Sequence, residues 1–456
     1  MTRGAAVLLT VLSLGALSAQ DTRKTATYQR LKSFLDSVPA IDTHEHVRAF
    51  GESNVPGPGM TLYTLFNRSY FTRINTLTPW EKGSTFEEWW TNAKHDFDDA
   101  RATSFYRYQL SAFEDLYGVD FETITDAQAK ALNDKIVENY RDEKWLYHVI
   151  TERSNIELML VDPFWARLDF STYYPFGVLV FNVTTLTRGF HPSEYSTPTD
   201  DPYIYARKKR LEVSSLDDYL NLLDDMFKAA KAAGAVCLKT TLAYERTLRF
   251  DRVPRERAEK VFGRRRSEMS AAEAKAFEDF VMWRLVELSA KHALPFQIHT
   301  GQARIQGSNP MLLVDLIESN PDTKFILFHG GFPWVDETGV ILMTYPSHVW
   351  IDSCWLPTLS YSAAKRAYHE WLEVMPSSRI LWGADALHPE GIYGATEYTR
   401  RCLAEVLAEK VDRGDLREEH ARRIGRQILR ENALDLFPQL RKKLWKHRGK
   451  LEPGDR

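Results

Sequence analysis

An α/β chain closed into a single (β/α)8 barrel is the fold class that the sequence predicts, on three observations. Beyond about residue 150, short β-rich apolar runs alternate with longer amphipathic ones, the pattern of a parallel sheet covered by helices. Eight strand candidates can be counted, the number that closure requires. The residues best suited to chemistry stand at the C-terminal ends of those candidates, the face on which a TIM-type barrel builds its site.

In chain order the strand candidates are Ala40–Thr43, Glu157–Val161, Gly177–Asn182, Val236–Thr240, Pro295–His299, Lys324–His329, Trp350–Ser353 and Arg379–Gly383. Their near-continuous apolar character, as in Phe325-Ile326-Leu327-Phe328, suits strands buried on both faces. Between them, Ser215 to Ala233 sets Leu216, Tyr219, Leu220, Leu223, Met226, Phe227 and Ala230 on one helical face and stops at Gly234. Ala271 to His292 reads as a further helix, and 310–320, 361–375 and 396–411 supply the later ones.

About 110 residues between the first two strands replace the usual short connection, a length that calls for its own small fold. This helical insertion, roughly 50–150, is rich in aromatics (Trp80, Trp89, Trp90, Phe97, Phe105, Tyr106, Tyr108, Tyr117) and carries a Gly/Pro-rich hinge at Val55-Pro56-Gly57-Pro58-Gly59. An insertion after a strand emerges on the catalytic face, so a lid is one reading; a separate aromatic core is the other.

The organisation is then a leader over 1–19, a barrel over 20–438 and a basic tail over 439–456. Arg3, the apolar Ala5 to Leu17 and the small Ala19 have the form of a signal peptide, which implies a secreted or periplasmic protein. That run is below the roughly 20 residues that span a bilayer, so a cleaved leader is expected ahead of an uncleaved anchor, and no other run is long enough. A formal net charge of −3 names no partner, and the basic stretches around Arg264-Arg265-Arg266 and Lys442-Lys443 sit among acidic residues, as solvated helix faces do. Neither nucleic acid nor a membrane is implied as a partner, so a small-molecule substrate is. Assembly with further copies of the chain is compatible with the sequence, which does not read oligomeric state. Cys237, Cys354 and Cys402 lie in apolar runs and read as buried free thiols rather than a disulfide framework.

Ile41-Asp42-Thr43-His44-Glu45-His46 puts two histidines two apart at a strand end, so both imidazoles point to one side, as two ligands of one metal must. With 13 histidines in 456 residues, about 0.4 such pairs arise by chance, so the pair alone is weak. Position strengthens it. His299 closes the fifth strand candidate, His329 the sixth, and Asp385 follows Leu381-Trp382-Gly383-Ala384. Trp334 and Trp355, after the sixth and seventh, read as packing rather than pocket lining.

As an ordered set these residues resemble the metal-dependent amidohydrolase superfamily, and within it the amidohydrolase-related branch that includes aminocarboxymuconate-semialdehyde decarboxylase and, more distantly, uronate isomerase. The marks are His-Glu-His at 44–46, Phe-Gln-Ile-His-Thr-Gly at 296–301, Phe-His-Gly-Gly at 328–331, Trp-Gly-Ala-Asp at 382–385 and the closing run Ile428 to Phe437. The resemblance spans 38–438 apart from the insertion. It implies one divalent metal held by His44, His46, His299 and Asp385, with His329 beside the water that the metal activates and with Asp385 taking that water's proton. Three imidazoles and a carboxylate suit zinc, with manganese as the alternative.

A lysine at the end of the fourth strand is carboxylated between two metals in other branches. Here Lys239, with Tyr244 and Arg246 a few positions on, resembles the amidohydrolase half of fused glutamine-synthetase-like chains. Lys239, Tyr244 and Arg246 are therefore expected to bind a substrate carboxylate, ahead of a carboxylated bridge or a structural ion pair for Lys239. The resemblance implies a hydrolase acting on a C–N bond or lactone of a small carboxylate-bearing substrate. A decarboxylase or a uronate-isomerase-like enzyme on the same metal site is the alternative.

Overall fold

The computed structural model describes residues 21–51, 59–193 and 201–447, with side chains to 444. The leader-like residues 1–19, most of the 55–59 hinge and the tail beyond 447 lie outside the described residues. Eight parallel strands run β1 Ala40–Glu45, β2 Ile156–Val161, β3 Gly177–Asn182, β4 Cys237–Thr240, β5 Phe296–Ile298, β6 Phe325–Leu327, β7 Val349–Asp352 and β8 Ile380–Leu381. They pair in sequential order. The barrel returns on itself through backbone bonds from Thr43 N–H to Trp382 O (3.1 Å) and from Asp385 N–H to His44 O (3.0 Å).

Alternation along each strand divides the side chains between two apolar layers. Ile41, Leu158, Leu160, Val178, Val180, Cys237, Ile326 and Leu381 fill the barrel interior. Met159, Val161, Leu179, Phe181, Leu238, Phe296, Ile298, Phe325, Leu327 and Ile351 pack outward against the helices. The lower end of the interior is closed by Ala433, Leu434, Leu436, Phe437 and Leu440. The segment from 439 is therefore less of a tail than its charge suggests: Leu440–His447 is helical, and Lys443 Nζ donates to the carbonyl of Gly177. At β8 only two residues keep ladder pairing. Asn432 Nδ2 braces that short strand by donating to the carbonyls of Ser377 (2.7 Å) and Ile380 (2.8 Å).

The helices begin where side chains cap them. Ser215 and Asp218 form a capping box on Leu216–Ala232, as Ser270 and Glu273 do on Ala271–His292. Leu222 takes a fully buried place on the first of these, while Leu220 is half-buried. The helix expected from 396 starts at Pro389 instead, because proline fits the first helical turn and the His388 side chain accepts from Gly391 N–H. The three cysteines are buried and free.

The insertion carries helices Leu62–Asn67, Phe86–Ala93, Ser104–Tyr117 and Asp126–Asn139 around an apolar core of its own. Phe66 sits at its centre, its ring 4.7–5.6 Å from those of Phe71, Phe97, Phe113 and Phe121. Helix Ser104–Tyr117 lies against Pro389–Asp412 at Gly394, where a Cβ would come 2.3 Å from Tyr108 O; only glycine admits so close an approach.

Candidate metal centre

The C-terminal ends of the strands bring the polar residues together. His44 and Glu45 end β1, Asp162 follows β2, Lys239 stands in β4, and His299, His329, Cys354 and Asp385 lie just beyond β5 to β8. All are buried, and His46, beside them, is nearly so. Close approach at the seam is allowed by Gly383, where a Cβ would meet His44 N at 2.9 Å. His329, Trp355 and Asp385 all adopt positive φ (61°, 65° and 54°), a conformation that costs non-glycine residues about 1–3 kcal/mol each and tends to occur where function fixes a side chain.

Asp385 is the hub. Its Oδ1 lies 3.3 Å from His46 Nε2 and 3.9 Å from His44 Nε2, and its Oδ2 lies 3.7 Å from His329 Nδ1. The Tyr70 hydroxyl, from the insertion, donates to Oδ1 at 2.9 Å. Burial opposes ionisation of Asp385, but the hydrogen bond and charge of His46 hold its carboxyl well below the usual range. Lys239 Nζ lies 3.3 Å from His44 Nε2 and 3.5 Å from the Phe328 ring centroid, and burial lowers its pKa.

His299 enters through His329. The Nδ1–H of His329 donates to Cys354 O at 3.1 Å, and the Nε2–H of His299 donates to Gln302 O at 3.1 Å. With the tautomers assigned from those partners, His329 Nε2 and His299 Nδ1, 2.9 Å apart, face each other as two lone pairs. Burial first, then nearby positive groups, keep both rings neutral, pushing His329 to about 3. Burial and Lys239 likewise depress His44. Neutral imidazoles with converging lone pairs are what a divalent cation requires of its ligands.

The spacing fits as well. Ligand atoms on one ion with bonds of about 2.0–2.2 Å lie roughly 3–3.5 Å apart, close to the separations around Asp385 and between His299 and His329. Two groups of donor atoms are close enough to hold an ion, His44-His46-Asp162 and His329-Cys354-Asp385. The five residues marked by sequence thus share one mouth, with His299 outside both groups. Asp162 and Cys354 were missed; the strand-end rule that found His299 would have found Asp162.

Supporting groups fix the ligands. His46 Nδ1 is held by Asp162 O at 3.0 Å, which turns Nε2 toward Asp385, and Asn182 Nδ2 donates to both Asp162 oxygens (3.0 and 3.1 Å). Asp42 Oδ1 accepts from His44 N–H (3.0 Å) and Ala384 N–H (3.2 Å), while Glu45 Oε2 accepts from Ala386 N–H (3.0 Å), so both pin β1 to the end of β8. Burial pushes Asp42 up to about 7 and Asp352 to about 6; burial and the neighbouring Asp42 push Glu45 well above the usual range.

Above the floor, the Arg73 guanidinium lies 5.3, 5.8 and 5.5 Å from the rings of Tyr70, Tyr244 and Trp355. Tyr244 is 40% exposed and its ring is 4.4 Å from that of His299, so it stands at the mouth. Arg246 does not join them. It pairs with Glu278 at 2.8 Å and with Asp279, and donates to the carbonyls of Thr247 and Arg249, so its donors are spent on structure. Trp355 packs fully buried against Tyr70 and His329.

The fold is a (β/α)8 barrel whose mouth gathers candidate metal ligands. The sequence model of the amidohydrolase family matches residues 252–439, the part that carries His299, His329 and Asp385. Over that part, about two fifths of the chain, the sequence is similar to the amidohydrolase family. Protein fluG of Emericella nidulans is 33% identical over 149 residues, 31% of this chain but only 17% of that protein's length. In fold the chain is similar to a uronate isomerase of Thermotoga maritima (TM-score 0.70, 14% identity, 90% of this chain and 97% of that one). It is likewise similar to a glucuronate isomerase of Caulobacter crescentus (TM-score 0.67, 16% identity, 96% of both chains).

Proposed function

We propose that the chain is a hydrolase acting on a C–N bond or lactone of a small carboxylate-bearing substrate, with His44, His46, His299 and Asp385 holding one divalent ion, zinc ahead of manganese. The observation that carries this reading is the convergence of neutral imidazole nitrogens from β1, β5 and β6 around the ionised Asp385. When bound, such an ion supplies Lewis-acid charge and lowers the pKa of a water toward neutrality.

The chain's own residues supply the rest. Asp385, ionised and hydrogen-bonded by Tyr70, accepts the proton of the attacking water and returns it to the leaving group. His329, 3.7 Å from Asp385 Oδ2, is the group set to steer the substrate carbonyl and stabilise the charge that develops on its oxygen. Lys239 adds positive charge at the floor beside His44, and Tyr244 with Arg73 frames the mouth. Export beyond the cytoplasm rests on the leader-like residues 1–19 alone.

A uronate-isomerase-like proton transfer is the second reading, favoured by the fold likeness and by Tyr70 placed on Asp385. Both are tested by incubating metal-analysed protein in 18O-water with dipeptides, N-acyl amino acids, lactones and uronates. Turnover with 18O in the product and about one ion per chain supports hydrolysis. An isomerised uronate without incorporation would replace it with the second reading.

A further inference from the structure

A cavity of about 290 Å³ opens beside His46, between the barrel and the insertion, at the small end of the range for small-molecule sites. Met60, Leu146, Phe164, Tyr174, Leu387 and Pro389 give it mostly apolar walls. Two guanidiniums line it as well, Arg48 from the chain leaving β1 and Arg68 from the end of helix Leu62–Asn67.

Both arginines are half-buried, and among the described residues neither has a carboxylate within ion-pair distance. Other partly buried arginines are paired, Arg246 with Glu278 and Asp279 and Arg430 with Glu157, while Arg379 rests over the Trp350 ring and Arg400 on backbone carbonyls. Arg48 rests over the Trp165 ring at 4.6 Å, which orients it without neutralising it. Both guanidiniums line the same cavity, and burial, then the like charge of Arg48, lower the Arg68 pKa. The remaining polar groups of the cavity do not compensate. Tyr140 donates its hydroxyl proton to Glu390 at 2.5 Å, and His388 is held between Leu65 O (3.0 Å) and Gly391 N–H (3.1 Å).

Two like charges kept together out of full solvent, with no counter-charge among the described residues, cost stability unless an anion joins them. Guanidinium forks match the oxygens of a carboxylate or phosphate, and His46 on the same wall places such a group next to the metal centre. We propose that Arg48 and Arg68 form the subsite for an anionic group of the substrate, a carboxylate or a phosphate, with the scissile bond reaching past His46 to the metal centre. The assignment rests on the proposed function only for the second half of that statement.

Calorimetric titration of the whole protein with glutarate and with inorganic phosphate tests it, on wild type, Arg48→Gln, Arg68→Gln and Arg68→Lys. Wild type should bind one of the two anions in a salt-sensitive way, the tighter naming the acid. Each Gln variant should weaken that binding tenfold or more and the Lys variant less, at unchanged metal content and thermal midpoint. Binding that survives metal stripping but is lost in the Gln variants supports the subsite even where the hydrolase reading fails. Equal binding by wild type and both Gln variants, binding lost only with the metal, or no anion binding by wild type overturns it.

Discussion

The barrel and the insertion put side chains into the same site by different physical means. On the barrel each contributing residue ends a strand buried on both faces, so its position is set by backbone pairing across the sheet. On the insertion Tyr70 and Arg73 lie on a short turn, and their place depends on how a separate aromatic core is docked. That docking is polar at its centre. Glu390, buried near the start of helix Pro389–Asp412, accepts from Tyr117 (2.6 Å), Tyr140 (2.5 Å) and Trp145 Nε1 (2.9 Å). The difference teaches that metal binding should be a property of the barrel, while turnover should also depend on the insertion staying docked.

The largest effect should come from the barrel side. His46→Ala removes an imidazole that no neighbour replaces, so metal content measured by mass spectrometry should fall sharply and activity by about 10³-fold or more. Full metal retention would remove the barrel from its assigned part in the comparison. Next, Glu390→Ala leaves three buried donors without an acceptor and should cost about 3–5 kcal/mol in urea denaturation. Limited proteolysis should then cut within residues 118–142 before it cuts the barrel; simultaneous loss of both would show one cooperative unit instead.

Tyr70→Phe sharpens the contrast further. It keeps the ring but removes the proton donated to Asp385, so kcat should drop about 10- to 100-fold with metal content unchanged. A fall in bound metal of the same size would make Tyr70 part of metal retention. The smallest effect should be seen with pH. Burial opposes ionisation of Glu390, yet its neighbour His388, 3.4 Å away, and the hydrogen bonds from Tyr117 and Tyr140 hold its folded pKa below 4.5. Its contribution is therefore present above pH 4.5 and lost as pH falls through the folded value. Protease sensitivity of the insertion should rise below that pH, and in Glu390→Gln this acid step should flatten.

How much was legible follows the same division. Strand β3 and helix Ala271–His292 have the bounds that pattern gave them, because apolar runs of strand length and a Ser-x-x-Glu cap are local signals. Strand β8 is shorter than expected because its upper residues bond to β1 and to Asp42 rather than continuing a ladder, and nothing local announces that. Inside the insertion helices carry the same kind of local cap, at Thr85 with Glu88 and at Thr125 with Gln128, but Tyr70 sits in a short turn whose sequence gives no reason to aim it at Asp385.

The sequence by itself determined the barrel, which follows from periodicity within a few residues, and it pointed to His44, His46, His299, His329 and Asp385 through their places at strand ends and the resemblance those motifs carry. Only the tertiary structure decided which charges are spent and which are free. Arg246 lies seven residues beyond Lys239 and looked like a substrate group, but Glu278 and Asp279, on a later helix, take its donors. Nothing local in the sequence marks Arg48 or Arg68, yet both line one cavity beside His46. Pairing of charges is settled by distance in space, and residues remote in the chain supply the partners that a local pattern cannot show.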